Sequence, residues 1–124
     1  MSYVMYCIVS REALKKMNGN RGKMVAQAGH AYLHAYMDAY TRFTYDAVNY
    51  LCGQKGATKV ALVVDTDQEL RDLRETYKDT CGVSLVVDAG KTCFDGQPTI
   101  TCLGLGPIDR EVVGEDLKAL KVLI

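Results

Sequence analysis

The sequence lacks net charge. Its 124 residues include 15 lysines and arginines and 15 aspartates and glutamates, so the formal net charge at pH 7 is zero. Overall charge therefore does not indicate a nucleic-acid partner, and any such contact depends on a local group of cations. Hydrophobic residues make up 48% and charged residues 24%. This composition is typical of a globular domain with its own core and excludes a disordered tail.

Cysteine pairs and long apolar runs are also lacking. The five cysteines are odd in number and none form a C-x-x-C pair, which argues against a secreted disulfide framework and a zinc site. Cys7 and Cys102 lie in apolar runs and are expected to be buried. The apolar run 3–9 is too short to span a membrane and lacks a basic leader and cleavage site. We therefore expect a reduced, cytoplasmic protein with no membrane segment.

Apolar runs and helical patterns alternate along the chain. Four strands are predicted over residues 3–10, 58–65, 82–87 and 99–105, the last ending at Gly106-Pro107. Helices are predicted over 23–39, 42–51, from Thr66 onward and over 109–119, with a loop at 11–22. The first connections between strands are long enough for crossover helices and therefore for parallel strands. The last two strands are joined only by residues 88–98, which show no helical pattern and so favour an antiparallel pair. The predicted fold class is α/β: a three-layer α/β/α single domain, residues 1–124, with a mixed four-stranded sheet.

Charge is unevenly distributed within this neutral total. Residues 11–23 contain five cations and one acid, and residues 65–75 contain five acids and two cations. Such runs are typical of solvated surfaces. The basic run, however, leads directly into the helix predicted from Lys23. A helix N-terminus preceded by glycine and flanked by Arg21 and Lys23 favours an anion such as phosphate.

The same helix carries an unusual set of polar side chains. Lys23, Gln27 and His30 are spaced i, i+4 and i+7, which places them on one helix face. A cation, an amide and an imidazole are unusual in a core and typical of a binding site. The residues between them are small and allow close packing on a sheet, namely Ala26, Ala28, Gly29 and Ala31.

A second candidate segment follows the third predicted strand. In open α/β sheets, sites form beyond the carboxyl ends of the strands. This rule selects residues 10–22 after the first strand and Asp88–Thr92 after the third. We therefore expect the Asp88 carboxylate at the same sheet edge as Lys23. There its pKa would be lowered by the lysine charge and raised by burial.

Three segments closely resemble the signatures of the type II peptidyl-tRNA hydrolases, a family found in archaea and eukaryotes. They are Gly22-Lys23-x-x-Ala26-Gln27-x-x-His30-Ala31, Asp88-Ala89-Gly90-Lys91-Thr92 and Thr99-Ile100-Thr101-Cys102-Leu103-Gly104-Leu105-Gly106-Pro107. The resemblance covers nearly the whole chain, in the same order and at similar spacing. It implies an enzyme that cleaves the ester between peptide and tRNA and recycles tRNA from abandoned translation products. It also implies that no metal or cofactor is needed and that the protein is a homodimer.

The resemblance also implies roles for individual residues. The predicted catalytic residues are Lys23, Asp88, Thr92 and Thr101, and the predicted substrate-binding residues are Lys15, Lys16, Arg21, Gln27 and His30. Ester hydrolysis needs an oriented water and donors for the developing oxyanion. Asp88 suits the first task. Lys23 can stabilise the oxyanion, bind phosphate or hold Asp88, and the threonine hydroxyls can orient water or substrate.

Each candidate also has a structural interpretation, which the sequence leaves open. Lys23 can be an exposed lysine in the first helical turn, and Asp88 can be a turn-former before Gly90. Thr101 fits the alternation of a strand. His30 is at least as well explained as a hydrogen-bonded structural histidine.

Two other functions remain as alternatives. The segment 11–22 is longer than the family pattern and has Arg21 where a lysine is typical. It is therefore compatible with an inactive relative that serves as a tRNA-binding or regulatory module. Cys93 follows Thr92 in place of the common glutamine and suggests thiol chemistry with His30 or Lys23. A nucleophilic cysteine, however, needs a lowered pKa and access, and the sequence shows neither.

Overall fold

The computed structural model describes residues 2–52, 57–90 and 96–124. Its strands are β1 (Tyr3–Ser10), β2 (Lys59–Val64), β3 (Val83–Asp88), β4 (Thr99–Asp109) and β5 (Lys121–Val122). Its helices are α1 (Arg11–Met17), α2 (Arg21–Arg42), α3 (Thr44–Cys52), α4 (Asp67–Tyr77) and α5 (Glu115–Lys118), with a 3₁₀ turn at Arg110–Val112. The strands form one sheet in the order β3-β4-β1-β2-β5. The pair β1–β2 is parallel, and β4 runs antiparallel to both of its neighbours.

Helices cover both faces of this sheet, which confirms the predicted three-layer α/β/α arrangement. On one face, α4 packs through Leu70, Leu73 and Tyr77. On the other face lie α2 and α3. The central strand β1 is buried on both sides, with Ile8 in the α4 cluster and Cys7 in the α2 cluster. This explains the unbroken apolar run of β1, since a strand covered by helices on both faces needs no polar side.

Helix α2 lies directly against β4 because the contact is built from small residues. A Cβ added at Gly104 would overlap the backbone carbonyl of Ala31 and lie 3.0 Å from the Cβ of Ala35. Of the small residues expected to face the sheet, Ala31 is buried, whereas Ala26 and Gly29 are exposed. The close approach brings the side chains of the first α2 turns to the ends of β3 and β4.

The prediction of four strands is wrong, because the sheet has a fifth. Residues 121–122 form β5, which pairs antiparallel with Leu62 and Val63 of β2. A two-residue strand is too short to produce a hydrophobic period. The Gly106-Pro107 step also does not end β4. The strand passes through this cis peptide bond and continues to Asp109, with an irregular register against β1.

Segment 11–22 is not a continuous loop as predicted. It contains α1, whose N-cap Ser10 accepts a hydrogen bond through its hydroxyl from the N–H of Ala13 at 3.3 Å. The helix ends at Asn18, where φ is 48°. The helix predicted over 109–119 is instead the 3₁₀ turn followed by the short α5. Of the helices in the described ranges, none combines the length and hydropathy needed to cross a membrane.

Candidate active site

Lys23 is positioned by the start of α2. The side-chain Oδ1 of Asn20 accepts a hydrogen bond from the backbone N–H of Lys23 at 3.0 Å and so caps the helix. Asparagine is among the preferred N-cap residues because it satisfies an N–H that the helix leaves unpaired. This role of Asn20 was not predicted from the sequence. An asparagine three residues before Lys23, at the start of a helical pattern, was the signal available for it.

Asp88 is held in place by its own turn. It is the last residue of β3, and its Oδ1 accepts a hydrogen bond from the N–H of Gly90 at 2.7 Å. Gly90 has a φ of 84°, and a Cβ there would overlap the backbone of Gln97. Only glycine fits such a position without strain. The turn-forming interpretation of Asp88 is therefore correct, but it occupies only one carboxylate oxygen.

The other oxygen of Asp88 is paired with Lys23. The Lys23 Nζ lies 2.5 Å from Asp88 Oδ2, and the side chains are only 16% and 9% exposed. Lys23 is therefore not a free surface lysine. Its hydrogen bond is the main cause that holds the pKa of Asp88 below the usual value, and burial opposes this effect. Asp88 is consequently a carboxylate at neutral pH.

Gln27 connects this ion pair to β4. Its amide Nε2 donates to Asp88 Oδ2 at 3.1 Å, and its Oε1 accepts from the Thr101 hydroxyl at 2.7 Å. Gln27 is 3% exposed and Thr101 is 0% exposed. Thr101 thus contacts Asp88 only through Gln27. A turned amide would place Oε1 against the Asp88 carboxylate, which can only accept hydrogen bonds, so Asp88 fixes the orientation of the amide and the Thr101 hydroxyl then donates to Oε1.

A β-bulge turns Thr101 toward α2. In the β3–β4 register, Val86 is opposite Cys102 and Val87 is opposite Ile100, so Thr101 is the extra residue of a bulge. Regular alternation would place Thr101 on the α4 face with Leu103 and Leu105, which belong to that core cluster. The bulge instead directs its hydroxyl to Gln27.

The remaining predicted residues stand apart from this network. His30 is exposed and stacks on His34, with ring centroids 5.8 Å apart. The exposed cations Lys15, Lys16 and Arg21 form no ion pair within the described part of the chain. Thr92 and Cys93 lie outside the described residues, so the predictions made for them stay predictions.

The arrangement defines a class of site in chemical terms. An oriented carboxylate and an ammonium meet at the carboxyl edge of an α/β sheet, next to an exposed cationic segment. Such a site can orient a water molecule and bind developing negative charge in an anionic substrate. Among residues 2–52, 57–90 and 96–124, no group of three or more histidine, cysteine or acidic residues is placed to hold a metal ion.

Comparison with known proteins identifies the family. The family model described as peptidyl-tRNA hydrolase PTH2 matches residues 3–123, and the chain belongs to this family. A peptidyl-tRNA hydrolase of Methanococcus vannielii is 37% identical over 94% of this chain and 96% of its own. One from Methanothermobacter thermautotrophicus is 35% identical over the same shares, and one from Methanocaldococcus jannaschii is 32% identical over 83% and 88%.

Proposed function

We propose that this protein, acting as one unit over residues 1–124, hydrolyses the ester between peptide and tRNA in peptidyl-tRNA and so recycles tRNA from prematurely released chains. The observation that carries the proposal is the Lys23–Asp88 pair, held at the sheet edge by Gln27. Membership of the PTH2 family and the names of the matched relatives support the same activity.

Asp88 orients the attacking water. A carboxylate offers about four acceptor positions, and three are taken by the N–H of Gly90, by Lys23 and by Gln27. The remaining position accepts one O–H of a water molecule. Because the pKa of Asp88 is lowered, the carboxylate polarises this water but does not retain its proton through the cycle.

Lys23 stabilises the charge that develops on the ester. The water oxygen bonds to the ester carbonyl carbon, whose oxygen becomes an oxyanion beside the Lys23 ammonium. The bond from that carbon to the ribose oxygen then breaks. One water proton ends on the ribose hydroxyl, and the other leaves to solvent as the peptide carboxylic acid ionises.

Thr101 and Gln27 act as positioning residues in this proposal. Thr101 is fully buried and donates to Gln27, which in turn donates to Asp88. Together they fix the direction of the carboxylate. Thr92, which follows the Asp88 turn in sequence, is proposed from the family resemblance to place its hydroxyl on water or substrate.

The tRNA binds through phosphates at the cationic segment. Lys15 and Lys16 lie in the last turn of α1, and Arg21 lies in the first turn of α2. Phosphate contacts of this kind release counterions, so binding weakens as salt rises. His30, exposed farther along the same helix as Arg21, is proposed to contact the substrate at the edge of this surface.

We also propose a cytoplasmic homodimer. The outward stripe of α2 exposes Leu33, Met37 and Tyr40, which are 57%, 57% and 56% exposed. Their spacing of i, i+4 and i+7 places them on one face of the helix, and apolar side chains grouped on an exposed face favour protein contact. In sedimentation experiments we expect a dimer that Met37→Glu converts to a folded monomer. A wild-type protein that remains monomeric at micromolar concentration contradicts this proposal.

The direct test of function is release of peptide from peptidyl-tRNA with a metal chelator present. We expect hydrolysis by the wild type and loss of it in Asp88→Asn, with Asp72→Asn, an exposed carboxylate on α4, as the matched control. Binding of tRNA without cleavage would instead support the binding-module alternative. Activity that survives Cys93→Ser and thiol alkylation would exclude the thiol alternative.

A further inference from the structure

In the part of the chain that the structure describes, strand β3 has a neighbouring strand on one side only. It is the first strand in the sheet order, with β4 beside it. The carbonyl of Gly82 accepts a hydrogen bond from the N–H of Gly106 at 2.8 Å, so the backbone of Gly82 faces β4. Backbone groups alternate in direction along a strand. Those of Val83, Leu85 and Val87 therefore point to the free edge.

The beginning of this free edge is occupied by a side chain. The N–H of Val83 donates to the Asp38 carboxylate of α2 at 2.9 Å. Farther along, within residues 2–52, 57–90 and 96–124, the outward backbone groups of Leu85 and Val87 have no hydrogen-bond partner. Val87 is also 56% exposed. The edge at residues 85–87 is therefore accessible to another chain in an extended conformation.

The opposite edge of the sheet is protected. Strand β5 lies there, is two residues long and contains Lys121. Short length and an edge lysine are common features by which proteins prevent unwanted strand pairing. In contrast, β3 has six residues and no charged residue before Asp88, its last. Of the two sheet edges, the open one is thus the edge that ends at the proposed catalytic carboxylate.

The direction of β3 selects the part of the substrate that fits this edge. Asp88 is at the carboxyl end of β3, and the ester of peptidyl-tRNA is at the carboxyl end of its peptide. A peptide that pairs parallel to β3 therefore brings its ester to the Lys23–Asp88 pair. An antiparallel peptide would bring its far end there. The alternating N–H and C=O groups of the edge also match a peptide backbone and not a nucleotide.

We propose that the peptide of peptidyl-tRNA binds as an additional strand, parallel to β3, along the edge at residues 85–87. This inference rests on the proposed function and describes how the same site holds its peptide. Strand addition uses main-chain hydrogen bonds, which peptides of any sequence offer. This mode of binding suits an enzyme that acts on prematurely released chains, because the sequences of such chains vary.

Parallel pairing predicts a pattern of contacts along the peptide. In a parallel ladder, a strand residue donates to one peptide residue and accepts from the residue two positions later. Leu85 and Val87 would therefore bind alternate peptide residues, and the N–H groups of the residues between them would point to solvent. The N–H of every second peptide residue should contribute to binding.

The first test measures kcat/KM on one tRNA body that carries N-acetylated alanine peptides of one to four residues. One net hydrogen bond corresponds to a factor of about 5. We therefore expect kcat/KM for the tetrapeptidyl ester to exceed that for the aminoacyl ester by about 10-fold or more. Equal values for all lengths overturn the strand proposal. No hydrolysis of any ester overturns the proposed function itself, so the two failures are distinguishable.

The second test uses tetrapeptidyl esters that are N-methylated at the second, third or fourth residue from the ester. We expect kcat/KM to fall by about 5-fold or more at alternate positions and to change little between them. Losses that do not alternate, or no loss at any position, overturn the proposal. Alanine side chains are the same at every position, so a side-chain pocket does not produce this alternation.

A substitution in β3 tests the location of the peptide. Val87→Pro removes one outward N–H, and strands tolerate proline where the N–H faces a free edge. We expect the tetrapeptidyl-to-aminoacyl ratio of kcat/KM to fall by about 5-fold. The ratio is used because it cancels an effect on the neighbouring Asp88 that is common to both esters. Val87→Thr is the control, since it keeps the N–H and the β-branched shape and should keep the wild-type ratio.

A wild-type ratio in folded Val87→Pro, or an equal fall in Val87→Thr, overturns the proposal. If Val87→Pro does not fold, the N-methylated esters still decide the question, because that series uses the unaltered protein.

Discussion

The role of Thr101 can be tested by a substitution that preserves its shape. Thr101→Val removes the hydroxyl that donates to Gln27 Oε1 at 2.7 Å and replaces it with a methyl group of similar volume. Because Gln27 is only 3% exposed, its Oε1 would be left buried without a donor. Such a loss costs about 1–3 kcal/mol. For a chain of this size the melting temperature should fall by about 4–12 °C.

The same substitution should slow catalysis without weakening substrate binding. Gln27 would lose the anchor that fixes its amide, so the donor to Asp88 Oδ2 would no longer be held in one direction. A small displacement of a reacting group costs about 10- to 100-fold in rate. Thr101 is fully buried, and in the proposed mechanism it acts through Gln27 and not on the substrate. We therefore expect kcat to fall by that factor while KM changes little.

Thermal unfolding and steady-state hydrolysis of peptidyl-tRNA measure both effects. Thr101→Ser is the control, because it keeps the hydroxyl and should recover most of kcat. Wild-type kcat in Thr101→Val, or a kcat in Thr101→Ser as low as in Thr101→Val, would refute a positioning role for Thr101. A rise in KM alone would instead indicate that Thr101 contacts the substrate.

Three further predictions concern charge and packing. Because the pKa of Asp88 is lowered in the folded state, the ionised carboxylate stabilises the fold above about pH 4, and this stabilisation is lost as the pH falls through the lowered pKa. The difference in unfolding free energy between wild type and Asp88→Asn should therefore shrink in acid, and a difference that stays constant with pH contradicts this prediction. Replacing Lys15 and Lys16 by glutamine should reduce the salt slope of tRNA binding by about 2, whereas an unchanged slope would remove them from the interface. Gly104→Ala would force a Cβ into the carbonyl of Ala31 and cost about 3 kcal/mol, which a wild-type melting temperature would disprove.

The general position of the site could be predicted from sequence. Apolar runs located β1 and β3, and the rule that sites form at carboxyl ends of strands brought Lys23 and Asp88 to one edge. The structure adds the direct contact between them. Helical spacing placed Gln27 one turn from Lys23. Its partners could not be predicted, because they depend on how closely α2 approaches β4.

Thr101 and β5 show why other features could not be predicted. Strict alternation along β4 assigns Thr101 to the α4 face. Thr101 turns to Gln27 only because it is the extra residue of a β4 bulge, which lies opposite the step from Val86 to Val87 in β3. A bulge is set by the pairing of two strands and leaves no period in either. Likewise, β5 exists through its pairing with β2 and is too short to carry a pattern.

The most direct test of the account is a double-mutant cycle on Lys23 and Asp88, measured as kcat for release of peptide from peptidyl-tRNA with chelator present. If the two side chains act as one unit, Lys23→Ala and Asp88→Ala should each lower kcat by about 100-fold or more, and the double variant should be no slower than the slower single one. Folding of each variant is checked by circular dichroism. The account would be contradicted if the fold-loss of kcat in the double variant equalled the product of the two single losses, or if a folded Asp88→Ala kept wild-type kcat.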